Sequence, residues 1–353
     1  MSGENGENDG NDENGGNGEC AAEYRSDQEV RWCPGCGDHA VLSRLLKLFP
    51  KLGIPRERFV FVSGIGCSSR FPYYLQTYGI HGIHGRAPAI ATGLKCARPD
   101  LSVWVITGDG DGLSIGTNHL IHCLRRNIDV KILLLNNRIY GLTKGQYSPT
   151  SEYGKKTKSS PHGTIEQPIN PVQMALASQA TFAARTLFST ADHMAPILEA
   201  AARHKGAAFV EILQNCLVFN PRAFDHLKAK ETRDDARILL EHGKRIRFGK
   251  NGSRGLVLRP QGPEIVSVDE KGVSESELVV HDAKAPSPLV ARMLAALGPP
   301  TFPIALGIFR SVERPTYDDL LLKQIADAQG GKGQPSLAEL FSEGTCWDVT
   351  GTV

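Results

Sequence analysis

Two sets of residues in this sequence have the types and spacing for chemistry. Cys33 and Cys36 flank a Pro-Gly turn in EVRWCPGCGDHAVL, residues 29–42. Asp109 sits in the glycine-rich run Gly108-Asp109-Gly110-Asp111-Gly112, and about 25 residues later comes the pair Asn136-Asn137. Thiols held in a C-x-x-C turn are metal ligands or redox groups. A carboxylate on a glycine-rich turn between strand and helix can face a metal while the backbone N–H groups of that turn bind phosphate. Asn136 and Asn137 add amide oxygens, and a hard cation such as Mg2+ takes oxygen ligands that it shares with phosphates.

The eight cysteines are 20, 33, 36, 67, 96, 123, 216 and 346. No basic region followed by an apolar one opens the chain, so a secreted disulfide scaffold is not expected, and the expectation is a cytoplasmic protein without a membrane span. Cys20 and Cys346 lie near the termini. Cys96 and Cys123 fall inside helical patterns, where a free cysteine is small core filling. Cys33, Cys36, Cys67 and Cys216 remain, and four thiolates suit either structural zinc or an iron–sulfur cluster. A zinc ribbon brings its ligands as two close pairs; here one pair is joined by two isolated cysteines, which favours the cluster.

Those groups need a scaffold, and alternating patterns supply one. Helical periodicity in 39–49, 85–99, 113–127, 171–180 and 191–204 alternates with apolar runs at 58–62, 101–107, 130–135 and 207–213. The pattern predicts an α/β fold with a doubly wound, mostly parallel sheet. Ligands of such sheets sit beyond the carboxyl ends of the strands, which is where GIGCS, GDGDG, the Asn pair and Gln214-Asn215-Cys216 fall. Three segments are expected: a disordered acidic tail over 1–27, a cofactor-binding domain over 28–216, and a C-terminal extension over 217–353 that packs on that domain or on a partner. In that extension two short strands (RGLVL and ELVVHD), a helix from 286 to 297 and a last helical piece, PSLAELF, are expected. Residues 1–19 carry six acids and no Lys or Arg, so a net charge of +2 leaves +8 on the remainder. That mild excess could favour an acidic partner; no nucleic acid is expected.

The GDG and Asn-Asn elements at one crossover's distance resemble the thiamine diphosphate (ThDP) motif. By that resemblance Asp109, Asn137 and the backbone carbonyl of Ile139 hold Mg2+. RWCPGCGDH, GIGCSSRFPYY, GIHGRAPAIATGLK, ITGDGDGLSIGTNH, LNNRIYGLTKGQYSPTSE and NCLVFN together resemble the beta subunit of 2-oxoacid:ferredoxin oxidoreductases, strongly over about 28–230. The resemblance implies ThDP, Mg2+ and one 4Fe-4S cluster on Cys33, Cys36, Cys67 and Cys216. It also implies oxidative decarboxylation of a 2-oxoacid with transfer of the acyl group to coenzyme A, since the two electrons released need a one-electron acceptor chain to ferredoxin.

The same resemblance places Ile65, Gly66, Cys67, Ser68, His84, Gly108, Asp109, Gly110, Asp111, Asn136, Asn137 and Gln146 around the cofactor. It sets Leu142 and Lys144 over the thiazolium ring. Lys144 and Arg70 are cations for a substrate carboxylate or a coenzyme A phosphate. Lys155, Lys156 and Lys158 form a basic run in the following loop; His81, His119 and His122 are read as ordinary packing or surface residues. The carboxylate that ThDP enzymes set beside the aminopyrimidine ring must come from a pyrimidine-binding domain, which 353 residues leave no room for. An alpha subunit bringing that glutamate is the implied partner. The YGLTKGQYSPT loop resembles 2-oxoglutarate enzymes; pyruvate or branched-chain 2-oxoacids, and a zinc-stabilised assembly protein without catalysis, are the alternatives.

Overall fold

The computed structural model describes residues 20–268, 273–330, 336–344, 347 and 351. Among them the strands are β1 (Phe59–Ser63), β2 (Tyr78–His81), β3 (Ser102–Gly108), β4 (Val130–Asn136), β5 (Phe182–Leu187), β6 (Ala208–Leu213), β7 (Arg237–Leu240), β8 (Arg247–Phe248), β9 (Arg254–Arg259), β10 (Gly262–Ser267) and β11 (Ile304–Ser311). Eight of these form one sheet in the order β2-β1-β3-β4-β6-β5-β11-β7, and β10-β9-β8 form a small separate one. From β2 to β5 all neighbours are parallel; β11 runs antiparallel to β5, and β7 parallel to β11.

The central strands are buried on both faces because both faces carry helices. Successive residues of a strand point to opposite sides. Val60, Val62, Val103, Val105, Ile132 and Leu134 therefore pack one way, in the core that includes Ala91, Leu120, Leu124 and Val172. Phe59, Phe61, Trp104, Ile106, Leu133 and Leu135 pack the other way, with Val41, Leu45 and Phe49 of the helix Gly37–Leu52 and Met194 and Leu198 of the helix Ala191–Arg203. Pairing of Ser63 with Ile106, Gly108 with Leu135 and Asn136 with Leu213 aligns the strand ends. The four loops expected to meet therefore leave the sheet along one edge.

Four differences from the sequence reading have physical causes. Residues 20–27, expected in the tail, belong to the fold: Tyr24 is buried against Phe49 and Phe59. The acidic stretch 1–19 itself lies outside the described residues. The helix expected over 113–127 is two helices, Asp109–Leu113 and Thr117–Arg126. Gly116 sits at the break against Gly85, whose φ is 70° and where a Cβ would lie 2.5 Å from the Gly116 nitrogen. That close approach fixes the turn carrying His84 to the glycine-rich segment.

β2 has an exposed edge with no buried periodicity to betray it. The C-terminal segment does not merely lie on the domain, since β11 and β7 extend its main sheet. RGLVL matches β9, whereas Leu278 and Val280 of ELVVHD make only isolated bridges. Helices form at Leu289–Ala296 and Leu337–Ser342 as expected.

Candidate active site

A cavity of about 550 Å³ opens at the carboxyl ends of β1, β3 and β4. It is lined by Ile65, Gly66, Cys67, Ser68, His84, Gly108, Asp109, Gly110, Asp111, Asn137, Ile139, Leu142 and Gln146, all singled out from the sequence, together with Leu135, Tyr140, Gly141, Thr143 and Gln214. Apolar walls with a few convergent polar groups suit an organic cofactor.

Asp109 opens the short helix Asp109–Leu113 and is buried. Its Oδ2 accepts from Ser148 Oγ at 2.5 Å and stands 2.7 Å from Thr150 Oγ1. Burial pushes its pKa up, opposed by these two hydroxyls and the N–H of Asn137. No cation lies within ion-pair distance of it among the described residues. A buried carboxylate without a counter-ion, next to the amide of Asn137 and the backbone of Ile139, is an all-oxygen donor set that fits a hard divalent cation.

Asp111 does a different job. Its Oδ1 accepts from the N–H groups of Ile65 (3.0 Å) and Gly85 (2.7 Å) and from His84 Nδ1 (2.7 Å), while Thr107 Oγ1 donates to Oδ2 at 2.7 Å. One carboxylate thus ties the β1 loop, the His84 turn and β3 together. Tyr140 OH donates to the Gly110 carbonyl at 2.8 Å and locks the loop after β4 over the helix start.

Three of the residues expected around the cofactor or substrate are not in this cavity. Asn136 is turned away, with its Nδ2 donating to Glu211 Oε1 at 2.7 Å and its Oδ1 2.9 Å from Thr150 Oγ1. Lys144 is exposed on the outer turn of the loop, with φ 77°. Arg70 lines a neighbouring cavity of about 370 Å³ that shares Ile65, Gly66 and Leu142 with the first. Leu142 is therefore the common wall. Lys155 is tied to Asn220 at 2.7 Å, away from both cavities. His81, read as ordinary, lines the second cavity and contacts the Ser69 carbonyl.

The four cysteines form no disulfide, and Cys33 and Cys216 act electrostatically on Cys67 as Cys67 does on Cys36, although among the described residues no three of them are gathered at metal-ligating distance. The Cys36 N–H donates to the Cys33 carbonyl at 3.0 Å, closing the C-x-x-C turn. A Cβ at Gly141 would lie 3.4 Å from Cys216 Sγ and 3.6 Å from Cys67 Sγ, so those two thiols flank one glycine. Burial pushes the Cys67 thiol up to about 11, helped by Asp38 and by the neighbouring Cys216 and Cys33; burial and Asp38 push Cys36 higher still. Four thiols whose ionised forms repel one another suit a cationic assembly that spreads their charge. Cys67 belongs to both the cysteine group and the cavity wall.

The sequence reading missed several residues that hold these groups. Trp32 donates to the Cys67 carbonyl at 2.7 Å and packs on Phe71 and Tyr74. Asp38 is wholly buried beside Cys36, accepting from Gln214 Nε2 at 2.9 Å, and burial raises its pKa to about 6. Ser148 and Thr150 lay in a quoted stretch, SPTS, whose hydroxyls nothing in the pattern marked.

This sheet, with a carboxylate on a glycine-rich turn and amide oxygens at the next strand end, is that of a thiamine diphosphate-binding protein. Residues 64–212 match the family described as thiamine pyrophosphate enzyme, C-terminal TPP binding domain. The chain is 54 % identical over 330 residues to the 2-oxoglutarate oxidoreductase subunit KorB of Mycobacterium tuberculosis, covering 93 % of this chain and 88 % of that one. It is 47 % identical to subunit beta of 2-oxoacid:ferredoxin oxidoreductase 1 of Aeropyrum pernix over 199 residues, 56 % of this chain and 63 % of that one. A solved structure of 2-oxoglutarate:ferredoxin oxidoreductase from Magnetococcus marinus, with 2-oxoglutarate, coenzyme A and succinyl-CoA bound, superposes with a TM-score of 0.71 at 32 % identity, covering 92 % of this chain and 96 % of that one. The chain belongs to the family of 2-oxoglutarate and 2-oxoacid:ferredoxin oxidoreductase beta subunits.

Proposed function

We propose that this beta subunit, paired with an alpha subunit, carries out the reaction 2-oxoglutarate + coenzyme A + 2 oxidised ferredoxin → succinyl-CoA + CO2 + 2 reduced ferredoxin + H+. The observation that carries the reading is Cys67, which lines the cofactor cavity and stands among the other three cysteines. Electrons released in the cavity have one residue to cross. When bound, ThDP supplies a nucleophilic carbon for the 2-oxoacid carbonyl and a sink for the charge left by CO2, and a 4Fe-4S cluster supplies one-electron acceptance.

The protein's own part is positioning. Asp109, Asn137 and the carbonyl of Ile139 would hold Mg2+, and the backbone N–H groups of Gly110 to Gly112 at a helix start would bind the diphosphate. Ile139, which is buried, and Leu142 once a partner covers it would keep water from the reacting end. Arg70, on the wall of the neighbouring cavity that shares Leu142, would pair with the distal carboxylate of the substrate. Cys33, Cys36, Cys67 and Cys216 would hold the cluster, with Trp32 fixing the Cys67 backbone.

The alpha subunit would close the cavity and bring the glutamate for the aminopyrimidine ring. Ile65, Ile83, Ile115 and Leu142 are exposed, and the first and last line the cavity; such an apolar rim suits a covering partner. Among the described residues no helix is long and apolar enough to cross a membrane. The test is steady-state reduction of a viologen dye by the alpha–beta complex with coenzyme A and 2-oxoglutarate, pyruvate or 2-oxoisovalerate. The reading expects kcat/KM for 2-oxoglutarate to lead by about a hundredfold, since the charge partner Arg70 has no carboxylate to meet in the others. Equal rates with pyruvate would give the chain a general 2-oxoacid activity instead.

A further inference from the structure

A second large cavity, of about 990 Å³, lies at the other end of the sheet, by the amino ends of β5 and β6 and the end of β11. Arg203, Lys205, Lys284, Arg310 and Arg314 line it, against one acid, Glu313. Two of these cations are spoken for: Arg203 pairs with Glu199, and Lys205 with Asp129 and Asp319. Arg310, Arg314 and Lys284 have no carboxylate within ion-pair distance among the described residues. The two guanidiniums are nonetheless held in place. Arg310 donates to the carbonyls of Ala285 (3.3 Å) and Pro286 (3.1 Å), and Arg314 to Gln179 Oε1 and the Arg125 carbonyl, each at 3.2 Å. Burial and the nearby Arg314 lower the pKa of Arg310, the mark of like charges kept close.

Two arginines held in place by backbone and amide acceptors, neither of them paired with the one acid of the cavity, Glu313, are fixed positive charges for phosphate oxygens. A further cavity of about 460 Å³ adjoins this one, sharing Lys284 and Ser311; Pro196, Ile197, Leu239, Leu240 and Ile308 make its walls mainly apolar, with Asp192, His193, Glu241 and His242 as polar groups that can hydrogen-bond a base. A charged chamber opening onto an apolar one matches a ligand with phosphates at one end and a flat apolar body at the other. We infer that this end of the chain binds a nucleoside diphosphate, with its phosphates against Arg310, Arg314 and Lys284 and its base in the adjoining apolar chamber. The site shares no residue with the reaction cavity, so it is fitted to modulate the enzyme rather than to feed it.

Titration calorimetry of ADP and of pyrophosphate into the alpha–beta complex tests this, with ThDP and Mg2+ saturating so that the cofactor's own diphosphate site is filled. ADP should bind more tightly than pyrophosphate. Arg310→Gln should raise the Kd for ADP about tenfold, the loss of one charge-assisted contact. Lys284→Glu, at an exposed position that cannot disturb folding much, should do at least as much. KM for coenzyme A should be unchanged in both, which separates this site from the one that takes the acyl acceptor. No ADP binding at low salt, affinity no better than that of pyrophosphate, or binding that ignores both substitutions would overturn the inference.

Discussion

Asp109 shows what a single carboxylate must balance. Its burial disfavours charge, and two hydroxyls and one N–H restore part of what water would have given. Thr150 stands between Asp109 and Asn136 with one proton to share, so Ser148 is the firmer donor. Ser148→Ala should weaken Mg2+-dependent ThDP binding about tenfold and Asp109→Asn should abolish it, the first figure being that of a hydrogen bond to a charged group. Quenching of intrinsic fluorescence by ThDP over a Mg2+ series reads both without relying on turnover.

Far from that cavity, burial and Lys131 hold the His204 imidazole down to about 4 from an ordinary 6.5. Its folded form resists protonation while the unfolded chain accepts it. The stability it contributes is complete above pH 6.5 and drains away as pH falls towards 4, on the order of 3 kcal/mol across the window. Urea midpoints of His204→Gln between pH 4 and 7 should lose that part of the slope.

At the scale of elements, the strand ends decide which residues face the cofactor. The Asn136-Asn137 pair was read as two candidate ligands, but neighbours on a strand point to opposite faces, so only one can turn to the cavity. Asn136, last in β4, turns instead to Glu211, which pairs with Arg185 at 2.6 Å in the interior. Arg185 Nη2 in turn donates to Asn170 Oδ1, the cap of the helix Pro171–Ala177. β4, β5, β6 and that helix are thus clamped behind the site. Glu211→Ala leaves Arg185 buried without its partner and should cost about 3–5 kcal/mol, read as a lowered urea midpoint. Leu213→Ala, two residues along the same strand, should cost less than the upper end of that range, because the cavity it leaves adds no unpaired charge.

Periodicity made most of this scaffold legible beforehand. The apolar runs at β1, β3, β4 and β6 had no competing reading, and the loops that follow them carried the chemistry. What stayed hidden was structure without a burial signal: the exposed edge β2, the break at Gly116, and hydroxyls such as Ser148 that act only once the chain has folded back. Tyr24 was lost for another reason, since an acidic, glycine-rich neighbourhood masked one buried aromatic side chain.

For the molecule as a whole, the sheet presents one end to chemistry and the other to a basic chamber. On the proposed reading, the residues that would bridge reaction and electron transfer are few. Cys67 would join them, while Trp32 donates to its backbone carbonyl and Asp38 sets a buried carboxylate beside the thiols. Trp32→Phe keeps the aromatic packing and removes one hydrogen bond. It should leave ThDP affinity unchanged while making the cluster more easily lost in air, which loss of the charge-transfer absorbance over time would show. The C-terminal strands β11 and β7 were not anticipated, since the strands expected there were RGLVL and ELVVHD, and nothing local tells a segment which edge of a distant sheet it will join.

The central claim is that the four cysteines hold a cluster that receives electrons from the cavity they border. The direct measurement is iron, acid-labile sulfide and zinc on the anaerobically purified alpha–beta complex, with visible spectra before and after addition of 2-oxoglutarate and coenzyme A. About four irons and four sulfides per beta chain, with absorbance near about 400 nm that bleaches only with substrate, is the expected result. Stoichiometric zinc in the beta chain, and a spectrum that substrate leaves unchanged, would contradict it.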